Sequence, residues 1–196
     1  MALDRQQPKT TSNIDKVVRA VFFDRDGVLV KSVRRPTKTA STPPWSWEEF
    51  EFLPYAKTST LITEAAGLLN LIFTNQPDVK DGLCTQELVD RINSHVSDVC
   101  HIHDTAVCYD RTSDNYKPSP GMIFDLQKKH NIDLTKSYVV GDRWRDIVAG
   151  HAAGTFNILI DDGNAYLEWP DKYKHIKPDY TCSNVFEACK FILAHS

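Results

Sequence analysis

Val21-Phe22-Phe23-Asp24-Arg25-Asp26-Gly27-Val28-Leu29 is a short apolar run that ends in two carboxylates and a glycine. Upstream residues extend it to Lys16–Phe23 (K-V-V-R-A-V-F-F), rich in β-branched and aromatic side chains. Such a run reads as a strand buried on both faces, the central strand of a parallel sheet. It would deliver Asp24 and Asp26 to the sheet's edge. Either acid alone could serve a turn or a helix cap. As a pair one residue apart they suit another task, holding a divalent cation and attacking a phosphorus.

The rest of the chain supplies partners for them. Ala56–Ala66 reads as a helix with Leu61, Ile62, Ala65 and Ala66 at helical spacing and Gly67 as its C-terminal cap. Leu68–Phe73 reads as a second strand, followed by Thr74-Asn75-Gln76-Pro77. Thr85 caps a helix running to Val99, with Leu88, Ile92 and Val96 on one face. Strands are expected at Thr105–Tyr109, Ser137–Val140, Phe156–Ile160 and Tyr180–Thr181. Helices are expected at Met122–His130, Ile147–Ala153 and Val185–Leu193. Alternation of this kind implies a parallel sheet covered on both faces, with the reactive crevice beyond the strands' carboxyl ends. Asp24 and Asp26, Thr74 and Asn75, the loop to Lys117, and Asp142 all fall at that edge.

These residues form a coherent set for phosphoryl transfer. A phosphate monoester must have its charge neutralised, a nucleophile placed in line and its leaving oxygen protonated. Asp24 can attack and form an aspartyl-phosphate, while Asp26 donates and then recovers a proton. Asp24, the Asp26 backbone carbonyl and Asp142 can hold Mg²⁺, a hard cation that prefers oxygen ligands. Lys117 offers a fixed positive charge and Thr74 a hydroxyl. Gly27 permits close approach of the backbone to the phosphate.

Asp24-Arg25-Asp26-Gly27-Val28, Thr74-Asn75-Gln76, Lys117-Pro118-x-Pro120-Gly121-Met122 and Gly141-Asp142-x-x-x-Asp146 resemble, in order, the four motifs of the haloacid dehalogenase-like (HAD) superfamily. The forms DRDG, TNQ and KPxPGM resemble the subgroup that contains heptose-bisphosphate 7-phosphatases, histidinol-phosphatases and a polynucleotide 3'-phosphatase domain. The resemblance implies a Rossmann-like three-layer α/β/α sandwich with a mainly parallel sheet and little or no cap domain. It also implies a Mg²⁺-dependent phosphomonoesterase acting on a small metabolite such as a sugar phosphate. Asn75 and Gln76 would contact phosphate or shape its loop, and Asp146 would support Lys117. The subgroup's zinc loop is reduced to Cys108, so no structural zinc is expected. The arginine before the lysine is replaced by Tyr116, and Arg111 is a candidate substitute. A non-catalytic phosphate binder on the same fold, and a nucleic acid 3'-phosphatase, are the alternatives.

Composition bounds the remainder. With 196 residues, 41% of them hydrophobic, and a formal net charge of −3, the chain fits a single domain without a general nucleic-acid-binding field. Residues 1–15 read as a flexible tail and 16–196 as the phosphatase domain. Five widely spaced cysteines without a Cys-x-x-Cys pair suit a reduced, cytoplasmic protein. No run approaches membrane-span length, and a monomer is expected. The basic loop around Arg34 and Arg35 would be a solvated face or would attract a second anionic group of the substrate. The aromatic residues from Trp45 to Phe52 would form a flap packed on the core, a substrate-facing lid, or both.

Overall fold

The computed structural model describes residues 18–161, 163 and 169–196. The expected tail and the first residues of the expected opening strand lie outside them. Among the described residues, six strands form one sheet in the order β3-β2-β1-β4-β5-β6, with every pair parallel. They are β1 (Ala20–Phe23), β2 (Leu69–Asn75), β3 (Asp104–Cys108), β4 (Tyr138–Gly141), β5 (Phe156–Ile160) and β6 (Tyr180–Cys182). The helices are α1 (Ala56–Ala65), α2 (Gln86–Cys100), α3 (Gly121–His130), α4 (Trp144–Ala153) and α5 (Val185–His195).

Residue alternation along β1 builds the layers. Val21 and Phe23 join a core with Ile92 and Val96 of α2, Ala56 of α1, and Ala188 and Ile192 of α5. Ala20 and Phe22 point the other way, onto Met122, Ile123 and Leu126 of α3 and Ala149 of α4. The sheet is thus covered on both faces, as the continuous apolar strands require. The chain moves outward from β1 to β2 and β3, then returns to place β4 on the opposite side of β1. The order therefore reverses between β1 and β4, where open α/β sheets leave a crevice.

Most expected elements form with ends shifted by one or two residues, since strand pairing and cap geometry set the boundaries. Helix α4 is the larger exception. It begins at Trp144, three residues before the expected start at Ile147, because Asp146 organises its first turn. The apolar face expected for α1 is also displaced. Its buried residues are Ala56, Ser59, Thr60 and Thr63, whereas Leu61 is 37% exposed. Small hydroxyl residues fit because α1 packs against α5, α2 and β2, and each hydroxyl bonds a carbonyl of its own helix. Thr63 Oγ1 also lies 2.5 Å from Asn70 Oδ1 of β2, so its one proton is shared between that oxygen and the helix carbonyl. Asn70 is fully buried and is further held by Thr60 O and His101 O.

Between β1 and α1 the chain makes a long excursion without a separate domain. Short antiparallel bridges tie it down, pairing Val30 with Phe52 and Val33 with Thr42. Trp47, Phe50 and Phe52 cluster on His95 of α2, with ring centroids 5.5–5.6 Å from the imidazole. The aromatic segment is therefore a packed flap. The stretch before it, Ser41–Pro43, faces the strand ends.

Because the buried face of α1 is polar, hydropathy ranks its substitutions in the wrong order. Leu61→Ala should change unfolding free energy by less than about 0.5 kcal/mol, as for other surface positions. Thr63→Val should cost roughly 1–3 kcal/mol by leaving Asn70 unsatisfied. Chemical denaturation of the two variants checks this ranking.

Candidate active site

The ends of β1, β2 and β4 and the loop before α3 bring Asp24, Thr74, Lys117, Asp142 and Asp146 together at the reversal point. Asp24 is fixed by continuation of the β1–β4 ladder, its N–H donating to Val140 O at 2.9 Å. Its Oδ1 accepts from the Arg25 N–H at 2.7 Å and lies 2.9 Å from Lys117 Nζ. Lys117 also donates to Phe73 O at 2.9 Å and Asp146 Oδ1 at 2.7 Å. These three acceptors match the three donors of an ammonium group. Asn75 clamps the lysine's backbone from both sides, accepting from Lys117 N–H at 3.1 Å and donating to Lys117 O at 3.2 Å. Asp146 accepts from the Arg143 N–H at 3.0 Å, which anchors it at the start of α4.

Acidic charge exceeds basic charge in this cluster. Asp24, Asp142 and Asp146 each present an oxygen, all within 4.8 Å of one another. Burial, followed by the charges of Asp24 and Asp146, holds the Asp142 carboxyl well above the usual carboxylate range. Burial also raises Asp146, although the Lys117 charge opposes this. Burial disfavours the Lys117 ammonium, but attraction to Asp146 and Asp24 outweighs it and the net shift is upward. Asp142 Oδ1 is buried without a hydrogen-bond partner. An all-oxygen donor set with excess negative charge and an orphaned carboxylate oxygen fits a hard divalent cation such as Mg²⁺.

Two glycines make this density of acids possible. Gly27 has φ +96°, and a Cβ there would collide with the Asp142 carboxylate. A Cβ on Gly141 would collide with the Asp146 side chain. Gly27 thus gives room to a neighbouring acid.

Asp26 stands apart from the three acids. Its carboxylate accepts from Arg25 Nε at 3.1 and 3.2 Å and from Arg25 Nη2 at 2.8 Å. Arg25 is fully buried, and its Nη1 donates to Asn93 Oδ1 at 2.8 Å. Gln76 Nε2 donates to Asp26 Oδ2 at 2.7 Å and to Thr74 Oγ1 at 2.9 Å.

Two of the residues expected near the phosphate make their contacts within the protein. Gln76 is fully buried and bonds Asp26 and Thr74 instead of facing a ligand. Arg111 is not brought to the strand ends. It makes a bidentate pair with Asp81, both contacts 2.7 Å, on the exposed surface. The same guanidinium lies 4.0 Å from Asp78, which lines the chamber. The arginines that do line the carboxylate chamber are Arg143 and Arg145, beside Tyr116, Ser41 and Thr42. Their only sequence signal was adjacency to Gly141-Asp142, which does not tell which way an arginine points.

Relief of repulsion gives Asp142 a distinctive signature. Asp142→Asn should raise the thermal midpoint of cation-free protein by roughly 2–4 °C, equivalent to about 1 kcal/mol in a chain of this size. Mg²⁺ is expected to raise the midpoint of the unsubstituted protein and not that of this variant. Thermal melts with and without Mg²⁺ test both, and a lower midpoint without cation would contradict the repulsive arrangement.

The profile of the family described as HAD-hydrolase-like matches residues 116–188. The D-glycero-β-D-manno-heptose-1,7-bisphosphate 7-phosphatase of Rhodopseudomonas palustris is 31% identical over 150 residues, covering 69% of this chain and 79% of that protein. The D-glycero-D-manno-heptose-1,7-bisphosphate 7-phosphatase of Chlorobaculum tepidum is 26% identical over 190 residues, covering 87% and 92%. Among solved structures, the D,D-heptose 1,7-bisphosphate phosphatase of B. bronchiseptica, complexed with magnesium and phosphate, superposes with a TM-score of 0.73 at 21% identity. It covers 91% of this chain and 100% of that one. The chain belongs to the haloacid dehalogenase-like hydrolase superfamily, as one of its phosphoric monoester hydrolases.

Proposed function

We propose that this protein is a Mg²⁺-dependent phosphomonoesterase that works through an aspartyl-phosphate on Asp24, with a phosphorylated sugar of the heptose bisphosphate type as substrate. The observation that carries the reading is the Lys117 ammonium lying between Asp24 and Asp146 inside a cluster of buried acids. A non-catalytic phosphate binder would have no use for several carboxylates facing an anion.

Asp24 Oδ1 is occupied by Lys117 and the Arg25 N–H, which leaves Oδ2 as the attacking oxygen. Attack at phosphorus forms the Asp24 acyl phosphate and breaks the ester P–O bond. Lys117 orients Asp24, and Asn75 holds the lysine's backbone in place. Thr74 lines the chamber and offers its hydroxyl to a phosphoryl oxygen. Asp26 is assigned to protonate the leaving oxygen and then to take a proton from the water that cleaves the acyl phosphate. Asp26 lines the chamber, and this role requires its carboxylate to exchange a contact with Arg25 or Gln76 for one with the leaving oxygen. Asp24, Asp142 and the Asp26 carbonyl would hold Mg²⁺, which supplies charge neutralisation for the phosphoryl oxygens. Asp146 orients Lys117 and adds its charge to the same cluster.

Phosphate release from D-glycero-D-manno-heptose 1,7-bisphosphate and from p-nitrophenyl phosphate, with Mg²⁺ or with excess chelator, tests the reading. Turnover should depend on Mg²⁺, and Asp24→Asn should lower kcat by about a thousandfold or more. Undiminished turnover in that variant would exclude Asp24 as the nucleophile.

A further inference from the structure

The chamber holding Asp24, Asp26, Thr74 and Lys117 is small, about 150 Å³. That suits a phosphoryl group better than the molecule that carries it, since pockets for whole small molecules run to about 300–1,000 Å³. The rest of a substrate has room in an adjoining cavity of about 570 Å³, which shares Ser41 and Arg143 with the chamber as walls. A phosphoryl group brings oxygens that need hydrogen-bond donors as well as a cation. The basic residues lining the chamber are Lys117, Arg143 and Arg145. They differ in what they have left to give.

Lys117 meets Phe73 O, Asp24 and Asp146, and an ammonium has three N–H bonds. In this arrangement it faces a phosphoryl group as a charge and not as a donor. Arg143 is turned to the flap. Its Nη2 donates to Ser41 O at 2.6 Å and Ser41 Oγ at 3.0 Å, and its Nε lies 3.8 Å from Asp142 Oδ2. The half-buried Arg145 guanidinium makes no hydrogen bond or ion pair among the described residues. What holds it is a ring. Its central carbon lies 4.7 Å from the Trp144 ring centroid. Trp144 is buried and stacked on Tyr173, with centroids 5.2 Å apart and planes at 27°. A guanidinium carried on a ring face keeps its N–H edge for other partners. Arg35 shows the contrast. It stacks on Trp45 at 3.6 Å, but Thr42 and Glu49 take its donors. Placement adds to the argument. Arg145 is the second residue of α4, and a positive charge in a helix's first turn opposes the macrodipole. The adjacent Asp146 does not offset it by pairing, being committed to Lys117 and the Arg143 N–H.

We propose that Arg145 binds the transferring phosphoryl group, its guanidinium donating to non-bridging oxygens of the scissile phosphate and of the orthophosphate product, with Trp144 as the platform that holds it there. This rests on the phosphatase reading above. Arg145 supplies the charged donors that Lys117 and Arg143 spend on the protein. It acts on the group that every substrate shares, so its loss falls alike on substrates with different leaving groups.

The test compares unsubstituted protein with Arg145→Met, which keeps the apolar stem, and Arg145→Lys, which keeps the charge without the planar fork. In Arg145→Met, kcat/KM should fall about tenfold to a hundredfold, by the same factor on D-glycero-D-manno-heptose 1,7-bisphosphate and p-nitrophenyl phosphate, from loss of charged hydrogen bonds. Free guanidinium at millimolar concentration should restore part of that activity and leave the unsubstituted protein unchanged, which a merely structural role would not predict. Calorimetry with Mg²⁺ should show orthophosphate binding about tenfold more weakly to Arg145→Met, with Arg145→Lys in between. Unchanged turnover and phosphate affinity in Arg145→Met, or a loss confined to one substrate, overturns the assignment while leaving the phosphatase reading intact. Should Arg145→Met fail to fold, Arg145→Lys decides by the same readouts, and values equal to those of unsubstituted protein reject the proposal. Should no monoester be turned over, orthophosphate binding decides alone. An Arg145-dependent affinity then upholds the contact although the phosphatase reading fails, and equal affinities or no binding reject it.

Discussion

A buried ammonium ion holds this molecule's site together. Lys117 is 3% exposed, so its donors must be met largely by protein. They are met by Phe73 O at the end of β2, Asp24 after β1 and Asp146 at the start of α4. One side chain thereby ties together elements from three parts of the sequence. Loss of a partner from such a buried pair leaves an uncompensated charge, which costs about 3–5 kcal/mol. The lysine still does not balance the site, because three acids share it. The fold tolerates the surplus negative charge by surrounding the cluster with a rigid parallel sheet. That strain is what makes a divalent cation welcome there.

The sheet's order explains why these residues meet. Since β2 and β4 flank β1, the residues that follow all three emerge side by side. Close approach then depends on absent side chains. Gly27 and Gly141 stand where a Cβ would strike Asp142 and Asp146. Asp26 is handled differently from its neighbour two residues earlier. Asp24 is drawn toward Lys117, and Asp26 toward Gln76 and toward Arg25, which Asn93 holds in turn. Two acids of one motif thus occupy distinct electrostatic surroundings, which is what the roles proposed for them would require.

The flap adds a layer that the phosphoryl-transfer residues do not specify. Its aromatic residues bury themselves on α2 through His95, and Arg35 is spent on Glu49 and Trp45. Those contacts fix the segment, so Ser41 and Thr42 can line one chamber while Lys31 and Arg34 line the other. Specificity on such folds resides in loops carried by a rigid scaffold.

The chain's own residues determined the alternation of strands and helices, the burial of β1 on both faces and the identity of the acids and lysine at the strand ends. These depend on hydrophobic runs, turn residues and short spacings, which are local properties. The face of α1 was not legible, because its buried positions carry Ser and Thr whose hydroxyls are satisfied only by the packed helix and Asn70. Nor was the fate of the arginines and Gln76. Arg111 is taken by Asp81, thirty residues away in the chain, Gln76 turns to Asp26, and Arg143 and Arg145 face the chamber. A long polar side chain has several partners within reach, and only the tertiary arrangement of charges decides among them. The sequence alone determined which groups could perform the chemistry. The tertiary structure decided which of them face it, because direction in space is set by contacts between residues far apart in the chain.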